Sequence, residues 1–409
     1  MAEQARRLHH EKTVFDDWRS ICVALYLALA GYAVLVGIPV ISSAWVNLLG
    51  FTESQVGRVA GADLGGLSIG AVVASFLITR HNRRVLIIIS GLFAMATNGL
   101  CMVFTDYETV LLLRLTSGFG AGVLTSVAIA TLGATSKPAR TFNILLFAFA
   151  FSQALELYAL PKLSMNGIYG VFIASFAVGL LFVRWIPPRA VDSALNVDVD
   201  VLSDDDNDAH ADRVEPIHAP AYVPWLVLAA ITATYINIGA YWTYIELATV
   251  DTAATQEWVS GVLVWASLFS LAGCLTATVI SNRYGLARPL LGTLIIHAMI
   301  VWMLVFGIDN LTVTISIFAF NYLWIFIDVY QMATIANVDH SGRFAALIPG
   351  AQGLGQIVGP NIAASLLAVN LGYNAVFVMC ALASLTAMLI YLYMYLLLRK
   401  SIPALADAS

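Results

Sequence analysis

The chain has 409 residues, 60% of them apolar and only 11% charged, with a net charge of −5 and a mean hydropathy of +0.84. Water cannot solvate such a surface, which excludes an ordinary soluble domain, and no basic, aromatic-interleaved patch suits nucleic acid. The apolar residues come in long runs, and a helix crossing hydrocarbon needs about 20 of them at 1.5 Å rise each, whereas barrel strands would alternate polarity.

In chain order, residues 1–18 form a polar tail, and spans follow at 19–41, 55–79, 84–104, 108–133, 141–161 and 168–186. The first run, from Trp18, is too long for the apolar core of a signal peptide and is expected to be retained. An acidic, aromatic-poor stretch at 187–222, with Asp204, Asp205, Asp206 and Asp208, reads as a flexible linker. Six more spans lie at 223–249, 257–281, 288–308, 311–336, 343–369 and 372–398, before a tail at 399–409. The expected architecture is an all-α polytopic membrane protein: 12 transmembrane helices in two six-helix bundles.

Lys and Arg near span ends stay in the cytoplasm. One face collects nearly all of them, among them Arg19, Arg80, Arg140, Arg184, Arg288, Arg343 and Arg399, while the other holds only Arg58 and Lys162. Both termini and the linker are therefore expected inside, with the spans in the cytoplasmic (inner) membrane. Cys22, Cys101, Cys274 and Cys380 sit in apolar spans without paired spacing, so neither a disulfide framework nor a metal site is expected.

Corresponding short loops follow the second and eighth spans: Thr79-Arg80-His81-Asn82-Arg83-Arg84 and Asn282-Arg283-Tyr284-Gly285. Their placement, with the six-plus-six layout, resembles the major facilitator superfamily, whose signature there is G-x-L-A-D-R-x-G-R-[KR]. Thr79 and Asn282 stand where that signature has its acid, and Asn82 replaces its glycine. The resemblance implies a conformational latch at Arg80, Arg83, Arg84, Arg283 and Gly285. In the fourth span, Arg114-Leu-Thr-Ser-Gly118-Phe-Gly120-Ala-Gly122 is similar to the family's R-x-x-x-G-x-G. Those glycines allow close helix approach, as do Gly355, Gly359 and Pro360 in the eleventh span. The fifth span lacks the family's glycine-rich exchange signature, which favours uptake over efflux.

Ionisable groups inside a membrane are functional candidates. Asp63, Arg114 and Glu156 each lie about 8–12 Å below the outer face, so they are expected to meet, with Arg114 as charge partner or substrate anchor. Asp63, Glu156 and Asp328, the last about 25 Å from the outer end of its span, are the expected proton-coupling acids. Glu246 is only about 5 Å from the outer end of its helix, where a wet gate position is expected. His297, in the ninth span, is expected to be a hydrogen-bonded structural residue.

The resemblance implies that the first, fourth, seventh and tenth helices line a central cavity. Its expected wall is Tyr32, Tyr235, Trp242, Glu246, Asn321, Trp324 and Gln331, with Trp265 added from the eighth. No sequence for ATP hydrolysis, nucleophilic catalysis or dinucleotide binding is present, so no enzyme activity and no cofactor are expected. The implied function is secondary active transport of a small organic solute by alternating access, powered by protons, with sodium as the alternative ion. Uptake by symport is expected, with proton-coupled export or a non-transporting sensor as alternatives. The expected partners are the solute, the proton and membrane lipid, around a monomer.

Overall fold

A computed structural model describes residues 14–78, 80–136, 138–188, 222–280, 285, 287–338, 344 and 347–401. The 187–222 linker lies, apart from its ends, outside these residues, and Arg283 lies outside them entirely. The described residues form twelve α-helices and short 3₁₀ turns. The first six are α1 (Trp18–Leu49), α2 (Glu53–Leu77), α3 (Arg83–Val103), α4 (Tyr107–Gly133), α5 (Pro138–Ala159) and α6 (Met165–Leu181). The second six are α7 (Val223–Tyr244), α8 (Gln256–Ile280), α9 (Ala287–Trp302), α10 (Asn310–Val338), α11 (Ile348–Ala368) and α12 (Gly372–Ser401). Ten of the helices are long and apolar enough to cross a bilayer; α6 has 17 residues, and α11 is diluted by its glycines and polar groups.

Local chemistry fixes the helix ends. Thr52 and Gln55 form a reciprocal capping box at the start of α2, and Asn82, Asp106 and Ser164 accept backbone N–H groups at the starts of α3, α4 and α6. Gly50 closes α1 at φ 71°, in the left-handed region that glycine enters without strain. Gly285 adopts φ 70° in the α8–α9 loop, which gives the glycine there its conformational reason.

Helix α2 is the hub, packing against α4 in its own half and against α11 in the other. A Cβ on Gly66 or Gly70 would strike the carbonyls of Leu115 or Phe119, and one on Gly118 or Gly122 those of Asp63 or Leu67. Gly120 faces α3 instead, against Ser90. On α11, Gly355 and Gly359 abut the α7 backbone at Thr232 and Ile236.

The two ends of the bundle differ. Along α1 every residue from Leu35 to Trp45 is buried, and along α7 every residue from Asn237 to Tyr244. Toward the end that carries the termini, one face of each helix is bare, with Tyr26 37% and Trp225 55% exposed. The far end, where α1 finishes, is thus the more closely packed along these two helices.

Candidate functional site

The first buried constellation is an ion pair. Arg114 on α4 donates through Nε to Asp63 Oδ2 on α2 at 2.8 Å and through Nη2 to the same oxygen. Its Nη1 donates to Asn98 Oδ1 on α3 at 2.8 Å, and Asn98 in turn donates to Ser117 at 2.8 Å. The guanidinium also lies over the Tyr169 ring of α6, whose hydroxyl accepts from Trp45 at 3.1 Å. Both charged residues are almost wholly buried, and this is the one ion pair among the described residues. A cavity with room for about one water adjoins it, walled in part by Gly31, Leu67 and Phe176.

One sequence expectation is corrected here. Glu156 does not join Asp63 and Arg114: it accepts from Ser152 on its own helix at 3.1 Å and faces Gly37 of α1, while Arg114 points away toward α2 and α3. Asp63 is ion-paired with Arg114.

The second constellation stands in the other half. Tyr235 of α7 donates to Asp328 Oδ2 of α10 at 2.7 Å, and Trp324 Nε1 donates to the Tyr235 hydroxyl at 3.4 Å. Because Trp324 supplies that hydroxyl with a donor, the tyrosine proton is committed to the carboxylate. Asp328 Oδ1 has no hydrogen-bond partner among the described residues, and neither has Glu156 Oε2.

Tyr32 of α1 meets Phe149 of α5 edge-on at 5.9 Å and lies near Tyr235 of α7. Gly37, five residues further along α1, faces Glu156. Helix α1 thus borders both Glu156 and the tyrosine that bonds Asp328.

The remaining predicted wall residues sort by burial. Trp242 is stacked with Phe320 and meets Trp324 edge-on, Asn321 bonds the Ile317 carbonyl of its own helix, and Gln331 donates to Thr234 at 2.8 Å. All three are packed inside the second half, at 1% exposure each, rather than bare on a cavity wall. Trp265 is not in the wall either: it is 64% exposed on a stripe with Phe269, Leu275 and Val279, the composition of a lipid-facing surface. Glu246, expected to be wet, is only 8% exposed, beyond the end of α7 and beside Ser43 of α1.

The basic loop acts locally. Arg83 lies over the Phe15 ring at 4.6 Å and donates to Thr131, and Arg84 Nε donates to the Ile186 carbonyl at 2.5 Å. These contacts stay inside the first half, tying the start of α3 to α4 and to the segment after α6; Arg80 is exposed.

Sequence reasoning missed Asn98, Ser117 and Tyr169. Each is a polar group in an apolar span, but nothing in a single sequence distinguishes a partner of Arg114 from a polar group bonded to its own helix. His297 has the hydrogen-bonded place expected of it: it lies buried between Asn237 and Ser384, each at 3.3 Å, as the polar joint of α7, α9 and α12.

A sequence profile described as Major Facilitator Superfamily matches residues 21–360. Among solved structures, the chain is similar to one described as "Crystal structure of nucleoside transporter NupG", with a TM-score of 0.69 and 12% identity over 92% of this chain and 98% of that one. It is also similar to a point mutant of that same transporter, with a TM-score of 0.70 and 12% identity over 91% and 99%. At that identity the likeness speaks for the fold. No curated protein matches the sequence.

Proposed function

The chain belongs to the Major Facilitator Superfamily, and from that premise we propose that this secondary transporter takes up a small organic solute by proton-coupled symport. The observation that carries the reading is the pair of half-satisfied carboxylates. Glu156 and Asp328 come one from each half, each has one oxygen bonded within its own half, and the other oxygen of each is unpartnered among the described residues. An ionised carboxylate away from water is costly without a cation. A proton and a cationic or donor-bearing solute would supply what the two acids lack.

The positive-inside rule places the near end, with both termini, in the cytoplasm. On that reading the buried stretches of α1 and α7 seal the outer end, as one of the two end states of alternating access requires. Tyr32, Phe149 and Trp324 suit a cationic or amphipathic aromatic solute through stacking and cation–π attraction. Arg114 is a poor anchor for an organic anion, because Asp63 and Asn98 already occupy its donors.

The test is solute-dependent pH change in proteoliposomes, with a panel of aromatic cations, nucleosides, amino acids and organic acids. External alkalinisation on adding one class, abolished in Glu156→Gln or Asp328→Asn and retained in Arg114→Lys, is the expected result. Acidification would replace symport with exchange, and silence across the panel would favour the non-transporting alternative.

A further inference from the structure

The seal at the outer end contains a third carboxylate that the transport reading does not use. Tyr244, at the end of α7, donates to the Glu53 carbonyl of α2 across the halves at 2.8 Å, and Gly57 lacks the Cβ that would block that hydroxyl. Tyr373 of α12 packs edge-on against Tyr244 at 6.1 Å. Glu246 lies two residues beyond Tyr244, buried in the same seam. Its backbone carbonyl accepts from Thr249 at 2.6 Å, but its Oε2 has no partner among the described residues.

Among the described residues, no cation acts on Glu246. From α1 it meets Ser43, whose neighbour Ser42 is equally neutral. The turn after α7 adds Thr249, bonded in turn by Gln256 of α8. Glu53 and Arg58 of α2 act on Tyr244, and Glu53 also on Tyr373 of α12; burial and the Ser43 hydroxyl are the influences on Glu246 itself.

Alternating access requires this seam to part, which carries Glu246 from a dry interface into outside water once per cycle. Parting also separates it from Ser43. A lone carboxylate that is dry only when the seam is shut is tolerated there best with a proton on it, whereas the open state solvates the anion. We infer that Glu246 is a proton-binding site of the outer gate, loaded from the outside as α1 and α7 close and unloaded when they part. It rests on the alternating-access reading above, but not on solute coupling: this proton belongs to the gate, separate from one moved with solute at Glu156 or Asp328.

Hydrogen–deuterium exchange of segments 40–49 and 244–250, in nanodiscs without solute and corrected for intrinsic exchange, reads the opening of this seam. Linkage to one proton makes opening rise with pH, by up to roughly tenfold per pH unit through the titration. Glu246→Gln is expected to protect both segments and to flatten the dependence. Ser43→Ala, which keeps the acid, is expected to retain it. Protection that does not vary with pH in the unaltered protein, or a slope that survives in Glu246→Gln, overturns the inference. Neither result bears on solute-driven pH changes, so the symport reading stands or falls separately.

Discussion

Two acids within the spans, Asp63 in the first half and Asp328 in the second, are held in opposite ways. In the first, Asp63 meets a guanidinium whose other donors and ring face are taken by Asn98 and Tyr169, so charge is closed within one bundle. In the second, Asp328 receives one tyrosine hydroxyl and keeps an oxygen without a partner among the described residues. Burial alone therefore does not mark a working acid. What distinguishes the two is whether the acid has a cation of its own or waits for one from outside.

That contrast can be broken most forcefully at Arg114. Arg114→Leu leaves Asp63 as a buried, unpaired charge, which is expected to cost about 3–5 kcal/mol and to lower the thermal midpoint in detergent sharply. Asp63→Asn combined with Arg114→Gln should restore a large part of that loss. A single variant that melts like the unaltered protein would refute the structural assignment of the pair.

Next in size, Gly118→Val pushes a branched side chain into the Asp63 carbonyl and is expected to cost about 1–3 kcal/mol by overpacking, read in the same melt. Tyr235→Phe probes the open site. Removing a donor to a carboxylate is expected to lower kcat/KM for solute by about tenfold, near 1.4 kcal/mol, with the thermal midpoint nearly unchanged. The reverse pattern, a lower midpoint with normal transport, would turn the Asp328 cluster into a second structural pair.

The smallest effect belongs to two exposed caps, Asp106 and Asp309. The side chain and backbone of Thr109 hold the Asp106 carboxyl below its ordinary value, and the backbone and side chain of Thr312 do the same for Asp309. A carboxyl lowered in the folded state contributes stability that is present above the unfolded value and is lost as pH falls through the folded one. Acidification through that window should cost the unaltered protein slightly more stability than an Asp106→Asn, Asp309→Asn variant, as measured by unfolding midpoints across pH.

Much of the fold is written in the apolar runs, because hydrocarbon imposes a length on each helix and the runs meet it. The ends are harder to read. Hydropathy puts the first span at 19–41, yet α1 continues to Leu49 because Asn47 begins no cap and Gly50 ends the helix instead. The seventh run reaches 249, but α7 stops at Tyr244 and a 3₁₀ turn carries Leu247–Thr249.

At the site, depth is legible from residue counting, and it correctly puts Asp63 level with Arg114. Depth does not fix which way a side chain points around its helix, however. Counting puts Glu156 level with the same pair, yet it faces α1 at Gly37, which only the packing of α5 decides. Trp265 fails for a similar reason: its identity as an aromatic on a central-seeming helix says nothing about whether its stripe meets solute or lipid.

The glycines of α2 carry one further consequence. Toward α4 they meet main-chain carbonyls, at Leu115 and Phe119, so these two helices are meshed backbone to backbone. Toward the other half, Gly57, Gly61, Gly65 and Ser68 meet chiefly side chains: the Tyr244 hydroxyl, the Asn361 amide, Ile357 and, at Ser68, the bare face of Gly353. Backbone meshing yields only when the two helices move apart as units, whereas a side-chain tip can give way by changing rotamer. One helix thus presents a weld on one flank and a sliding bearing on the other.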